Sequence, residues 1–374
     1  MLTNMYFKFT IKTIKITEKY VNLFFEKSQA LQRASPCGII IGNGENVANT
    51  LPKMLIFLII ERLTNQYRGE KTMLNTNYKE IVDLTAVGGQ NPKKLNDILR
   101  LAASEKIAPS SRDEEKVLFV GIDFQNDFME NGELAVPNSH KDIENTTKFL
   151  YQNFDKITSI AVSLDTHAPH QIFHPSWWVD NEGNHPNPYT IITEEDIIHG
   201  KWMSVENQKE SLEYVQQLEN QGRMKLCIWP LHCIEGTNGA ALEGQFSNMI
   251  HFHSIARKSP IHKIVKGKAP LSEMYGIIKP EYDKNSYVNS EFLELLKGYD
   301  KILVAGEAKS HCVLESLRQI LEHYQDDVHL TSRIYVLADC MSSIPGFEEN
   351  AENTLHDFIN KYHINIVHSN ELTI

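Results

Sequence analysis

From residue 117 onward, short apolar runs alternate with longer stretches in which apolar residues recur every three or four positions. The runs fall at 117–122, 157–164, 262–265, 301–305, 334–338 and 364–367. Runs of this length, apolar on both faces, predict strands covered from both sides. Between them, 143–151, 290–296, 313–324 and 350–362 carry helical spacing. After Cys312, for example, Val313, Leu314, Leu317, Ile320, Leu321 and Tyr324 share one helical face. Buried strands joined by such helices predict a parallel sheet with helices on both faces. Ligands in these sheets sit beyond the carboxyl ends of the strands, so the residues directly after each run carry the chemistry.

Upstream the pattern is lost. Residues 1–72 keep no period, and the expectation is a loosely ordered extension, or sequence ahead of the true start with Met73 as an alternative initiator. Ile39-Ile40-Ile41 does run into Gly42-Asn43-Gly44, a fragment of a dinucleotide fingerprint. Val47 stands where the third glycine belongs, and the zone is too short for paired βαβ units. Residues 73–115 read as a polar helical arm ending in a charged linker from Pro109 to Glu115. The arm is expected to pack on the main domain, 116–374, or to mediate self-association into a homo-oligomer.

Composition narrows the class. An apolar content of 41% and a charged content of 23% over 374 residues fit a globular chain of one large domain with an appendage. A net charge of −11 excludes nucleic acid as a bulk partner, since phosphate binding needs a basic face. Five scattered cysteines read as thiols of a reducing compartment, and the expected location is the cytoplasm. No run reaches the roughly 18 apolar residues that span a bilayer, so no membrane partner is expected. The nearest, 54–60, is ended by Glu61 and Arg62.

The first run ends in Ile122-Asp123-Phe124-Gln125-Asn126-Asp127-Phe128. Asp123, partly desolvated there, suits a proton acceptor of raised pKa; a cap for the next loop is the alternative. The second run ends in Asp165-Thr166-His167. Residues two apart on an extended segment share a face, so this carboxylate and imidazole can converge on one ion. His232, in Trp229-Pro230-Leu231-His232-Cys233, offers a third ligand. Such a set leaves open positions and suits zinc, iron or manganese. His170, His174 and Cys233 compete as ligands, although an extended segment turns Cys233 away from His232. The third run ends in Lys266-Gly267, either a solvated strand end or an ammonium beside Asp123 and Cys312. The fourth leads through Gly306-Glu307-Ala308-Lys309-Ser310-His311 to Cys312, at a helix start whose dipole favours thiolate over an inert thiol.

In this order the motifs resemble the signature of the isochorismatase-like cysteine hydrolases, specifically the nicotinamidase/pyrazinamidase branch, over roughly residues 116–370. The resemblance implies an α/β fold, a six-stranded parallel sheet flanked by helices on both faces. Asp123, Lys266 and Cys312 would be the catalytic triad, and Asp165, His167 and His232 would hold one divalent metal ion, zinc first, with iron or manganese as alternatives. A cis peptide between Glu307 and Ala308 would turn the Ala308 N–H towards that of Cys312 to make an oxyanion hole. Phe128 and Trp229 would sandwich a pyridine ring, with His311 as a further substrate contact. The implied reaction is hydrolysis of a small carboxamide through a thioester, nicotinamide to nicotinate and ammonia, a step of NAD salvage. A different small carboxamide or ureido substrate, or a non-catalytic binding module, are the rival readings. Three departures bear on the substrate. The stretch between His167 and His232 is long, with a helical segment near 211–218, and is expected to overlie the pocket mouth. Glu307 replaces a small apolar residue, and Tyr275-Gly276 stands where Tyr-Ser is usual.

Overall fold

The computed structural model describes residues 74–222 and 225–374; the expectations for residues 1–72 and for Met73 lie outside them. Six strands form the main sheet: β1 (Val117–Ile122), β2 (Ser159–Asp165), β3 (Ile261–Lys266), β4 (Lys301–Gly306), β5 (Ile334–Leu337) and β6 (Asn365–Val367). Their order is β6-β5-β4-β1-β2-β3, and every neighbouring pair is parallel. The chain winds outward from β1 through β2 to β3, then crosses back to β4 on the other side of β1. The winding therefore reverses between β1 and β4, and a crevice opens at their carboxyl ends. Gly306 ends β4 with φ +145°, and a Cβ there would come 2.1 Å from the Ile122 carbonyl oxygen. Only glycine lets the two strand ends approach this closely.

Seven longer helices cover the sheet: α1 (Leu95–Ser104), α2 (Ser139–Gln152), α3 (Gln208–Gln221), α4 (Gly244–Arg257), α5 (Ser290–Leu296), α6 (Leu314–His323) and α7 (Glu348–Tyr362). All of β1 is buried, and its side chains alternate between two cores. Val117 and Phe119 pack with Ile143 and Phe149 of α2 and Phe246 and Ile250 of α4. Leu118, Val120 and Ile122 pack with Leu293 of α5, Leu317 of α6 and Leu355 of α7. Both faces are covered, which is why the strands read as nearly unbroken apolar runs.

Helix α4 has no counterpart in the sequence reading. Its buried face mixes Phe246, Met249 and Ile250 with Gln245, Asn248, His253 and Arg257, so no clean apolar stripe marks it. Three of these polar members are met by the arm, and His253 Nε2 by the Ile157 carbonyl at 2.9 Å. Asn91 Nδ2 donates to Asn248 Oδ1 at 3.0 Å, the Asp83 N–H donates to Gln245 Oε1 at 2.8 Å, and Arg257 reaches both oxygens of Asp113 at 2.6 Å. Ile81, Val82, Ile98 and Ala102 join the core beside α4. Residues 74–115 are thus built into the domain they precede.

Between β2 and α4 lies the long insertion. It folds as two small antiparallel ribbons, Trp178–Val179 with Met203–Ser204 and Ile191–Ile192 with Leu226–Cys227, together with α3, which covers the helical segment expected near 211–218. Trp177 and Trp178 anchor it, donating from their indole nitrogens to Ser211 Oγ at 3.0 Å and the Ile172 carbonyl at 2.7 Å. Among the described residues no helix is long and apolar enough to cross a membrane.

Candidate active site

Lys266 ends β3 directly opposite Asp165, which ends β2. The lysine is buried, not the solvated strand end that was its alternative. Its Nζ stands 2.9 Å from Asp123 Oδ2 and 3.1 Å from Asp165 Oδ1. It also donates to the Met274 carbonyl at 3.1 Å and lies 3.8 Å from Cys312 Sγ. Asp123 follows β1 with φ +47°, a left-handed conformation uncommon for a residue with a Cβ. Ser163 fixes it from the neighbouring strand: its Oγ accepts from the Asp123 N–H at 2.9 Å and donates to Asp123 Oδ1 at 2.5 Å. Asp123 is therefore no loop cap. Cys312 sits in the wide turn Lys309–Val313 that leads into α6, and the Glu307–Ala308 peptide before it is cis.

Burial and pairing set the charges. Burial raises Asp123 above the usual carboxylate range, with Lys266 opposing. Burial also acts on Asp165, but His167 and Lys266 overcome it and hold this carboxyl well below the ordinary range. For Lys266 burial works against the charge, yet Asp123, Asp165 and Cys312 raise its pKa well above normal. Burial pushes the Cys312 thiol up against the pull of Lys266. This corrects the expectation from the helix dipole. A raised pKa favours the thiol, so thiolate chemistry at Cys312 would need an adjacent acceptor for its proton.

Asp165, His167 and His232 place one ligand atom each within 4.8 Å of the others. His167 Nδ1 lies 3.0 Å from the Gly267 carbonyl and His232 Nδ1 lies 2.8 Å from that of Pro230. Each carbonyl can only accept, so each Nδ1 carries a proton and Nε2 is the nitrogen each ring turns inward. Burial opposes charge on His167, but Asp165 raises its pKa to about 9, so a cation binding there would displace the Nε2 proton. Those Nε2 atoms face Asp165 Oδ2, at 3.0 Å from His167 and 3.7 Å from His232. Asp165 Oδ1 is taken by Lys266, which leaves Oδ2 to face both rings. Two imidazole nitrogens and a carboxylate oxygen aimed at one point fit a divalent cation. Gly267, at φ +78°, keeps the cradle open, since a Cβ there would reach 2.5 Å from Asp165 Oδ1 and 2.6 Å from the His167 ring. Of the competing ligands, His170 turns outward to Glu206 and Ser176, and Cys233 is buried outside the group. His174 is fully buried beside the cluster, edge-on to His167 and His232, and neither of its ring nitrogens has a partner.

A narrow cleft with about 20 Å³ of free space adjoins this cluster. Phe128, Trp229, Ala308, His311 and Cys312, all named from sequence, line it together with Asp165 and His232. His311 is buried, which lowers its pKa to about 4 and leaves it neutral; its Nδ1 lies 2.9 Å from Ser310 Oγ. Glu273 and Tyr275 complete the wall. The Tyr275 hydroxyl accepts from Trp229 Nε1 at 2.9 Å, and the Glu273 N–H donates to the hydroxyl of Tyr214 on α3 at 3.0 Å. The insertion thus braces the cleft from behind as well as touching its edge, where Tyr189 stands edge-on to Trp229. Sequence reasoning passed over Ser163, Glu273 and Tyr214. Ser163 could have been found as the inward position two before Asp165; the other two carry no local signal.

Sheet and cleft define a three-layer α/β protein whose switch-point crevice holds a thiol, an ammonium and two carboxylates. No protein-family model matches the chain, and no curated protein matches it. Solved structures do. A nicotinamidase/pyrazinamidase of Acinetobacter baumanii is 19% identical, with 70% of this chain and 100% of that one covered and a TM-score of 0.47. The yeast nicotinamidase bound to the inhibitor nicotinaldehyde is also 19% identical, at coverages of 67% and 99% and a TM-score of 0.47. N-carbamoylsarcosine amidase from Thermoplasma acidophilum is 14% identical, at coverages of 70% and 99% and a TM-score of 0.38.

Proposed function

We propose that this chain is an isochorismatase-like cysteine hydrolase that cleaves a small carboxamide, with nicotinamide the first substrate to test. One observation carries the reading: a single buried ammonium lies within 3.8 Å of Asp123, Asp165 and the Cys312 sulfur. A buried lysine of this kind is costly unless its partners need it. The raised pKa of Asp123 supports a base that takes a proton near neutral pH and gives it back.

Asp123 accepts the Cys312 proton while Lys266 offsets the charge that develops on the sulfur. The sulfur adds to the carboxamide carbon, and the oxyanion is received by the N–H groups of Ala308 and Cys312, each worth about 3 kcal/mol in sites of this kind. The C–N bond then breaks, with the proton on Asp123 passing to the departing ammonia. Water, giving a proton to Asp123, cleaves the thioester; the acid leaves and the proton returns to Cys312. Phe128 and Trp229 offer aromatic walls for a flat ring, and neutral His311 a polar edge. A divalent ion held by Asp165, His167 and His232 would supply a Lewis-acidic anchor for the substrate. In this role the enzyme returns nicotinamide to nicotinate in the cytoplasm, as a step of NAD salvage.

The test is ammonia release from nicotinamide, pyrazinamide and small ureido compounds by protein loaded with zinc, iron or manganese. Turnover of nicotinamide that Cys312→Ala abolishes is the expected result. Activity that survives this change overturns the thiol mechanism, and turnover confined to ureido compounds replaces the substrate.

A further inference from the structure

Glu307 is the departure that the triad does not use, and it is wholly buried. Its backbone is fixed at the end of β4, where its N–H donates to the Ile122 carbonyl at 2.9 Å. Its side chain meets Asp142, a buried residue of α2, and the two carboxyl groups lie close enough to hydrogen-bond once one of them holds a proton. The Ser342 N–H donates to Glu307 Oε2 at 3.4 Å. Glu307 Oε1 and Asp142 Oδ2 accept from no other donor.

The other charged and titratable groups facing the pair are Lys309, Asp339 and Cys340. Lys309 is the nearest cation, but its ammonium is paired to Glu352 of α7 at 2.5 Å. Asp339 adds like charge to Asp142, and burial pushes the Cys340 thiol up so that it stays neutral. Nothing here matches Lys266. Two carboxylates in hydrogen-bond contact without a dedicated cation cannot both ionise, so one proton must lie between them.

Their place gives that proton a consequence. Glu307 is bonded directly to Ala308 at the head of the cleft. Ser342 also accepts, at its carbonyl, from the Lys309 N–H at 2.7 Å, and the Ile344 N–H donates to Ser310 Oγ at 3.1 Å. The pair therefore sits where the Ala308 turn and the Ile344 strap join, and both line the cleft. We infer that Asp142 and Glu307 share a single proton at neutral pH, and that this proton holds the Ala308 turn in its working position. The two are positioning residues, acting through Ala308. Burial raises both groups, Asp142 to about 6 and Glu307 well above the usual range, with each carboxyl adding to the other's surroundings. Loss of the proton on the alkaline side puts two adjacent anions behind the turn and loosens it.

The inference rests on the hydrolase reading only for its kinetic arm, so three readouts are taken together. The first is the infrared difference between wild type and Glu307→Gln at pH 7, where a protonated carboxyl band belonging to the wild type is expected. The second is hydrogen exchange of residues 306–313, corrected for its intrinsic pH dependence. Protection in the wild type is expected to fall about tenfold from pH 7 to pH 9, as a displaced turn would require, and to change less than about twofold in Glu307→Gln. The third is kcat on whichever amide is hydrolysed, falling about tenfold over the same range at constant KM, since misplacing a reacting geometry by little is enough. Glu307→Gln flattens that fall. Asp142→Asn serves as the second variant and gives the same three results. A missing infrared band, or exchange that responds to pH alike in wild type and variants, overturns the inference whatever the enzyme does. No turnover of any amide, with the first two readouts as expected, overturns the hydrolase reading and leaves the pair intact.

Discussion

Two buried carboxyl pairs lie near the carboxyl edge of the same sheet, and they differ in their cationic partners. Asp123 and Asp165 flank the Lys266 ammonium at 2.9 and 3.1 Å, whereas Asp142 and Glu307 face each other with their nearest lysine engaged by Glu352. Burial acts on all four in the same direction. In the first pair the histidine splits the outcome: His167 joins Lys266 in holding Asp165 well below the usual range, while Asp123, with Lys266 alone to oppose its burial, is raised. In the second pair both members are raised. The member with fewer cationic neighbours is the one whose proton affinity stays high, which suits the acid–base role proposed for it.

Removing the cation should make the first pair behave as the second. Lys266→Met leaves Asp123 and Asp165 buried without it, which should cost about 3–5 kcal/mol and abolish ammonia release. Urea denaturation and the amidase assay measure the two effects. Adding Asp123→Asn to Lys266→Met should return part of the stability and none of the activity. A Lys266→Met protein as stable as wild type would mean the pair takes up protons at little cost, and the contrast drawn between the two pairs would fail.

Asp123→Asn alone tests the division within the first pair. Lys266 keeps Asp165 as a partner, so the fold should survive, while turnover falls by about 10²–10⁴-fold, the usual worth of a general base. Equal loss from Ser163→Ala is not expected, because Ser163 only orients Asp123 through its 2.5 Å hydrogen bond.

A second cation should sharpen the asymmetry. Asp165 faces two histidine nitrogens, so zinc added to metal-free protein should displace the inward proton of His167, bind there and stabilise the protein by about 2.7 kcal/mol at a hundredfold excess over the dissociation constant. Thermal unfolding with and without zinc reads this, and His232→Ala should remove most of the shift. An unchanged zinc response in that variant would move the ion elsewhere. Glu307→Gln, in the second pair, should leave the zinc shift as it is.

What the sequence could disclose follows the same physics. Strands buried on both faces announce themselves as apolar runs, and Asp123, Asp165, Lys266 and Cys312 were found because each follows such a run within a few residues. Helix α4 stayed hidden because Gln245, Asn248, His253 and Arg257 interrupt its buried face, and the partners of all but His253 lie in an arm some 150 residues away. The two-residue ribbons of the insertion are too short to carry any period. Glu307 was visible as an anomaly, but its meaning was not. Its partner Asp142 sits early in α2, an exposed-looking acid in a polar first turn, and only the tertiary fold brings it to the end of β4.

The two pairs also separate by pH. A carboxyl whose folded pKa is raised binds a proton that the unfolded chain has already lost, so its contribution to stability is complete below its ordinary pKa and is lost as pH rises through the folded value. For one proton the slope is about 1.4 kcal/mol per pH unit. His253, buried with its Nε2 2.9 Å from the Ile157 carbonyl and its pKa lowered to about 3, acts oppositely. Its unfolded form takes up the proton below the ordinary histidine range, so stability rises with pH until roughly 6.5 and then levels off. Asp142, at about 6, has also finished most of its change by then. Between pH 7 and pH 9 the remaining downward slope that depends on residue 307 should come from Glu307. The difference in unfolding free energy between wild type and Glu307→Gln should therefore shift steadily against the wild type across that interval. Parallel curves would place the folded pKa of Glu307 below 7, and with it the proton that sets this pair apart from the one at Lys266.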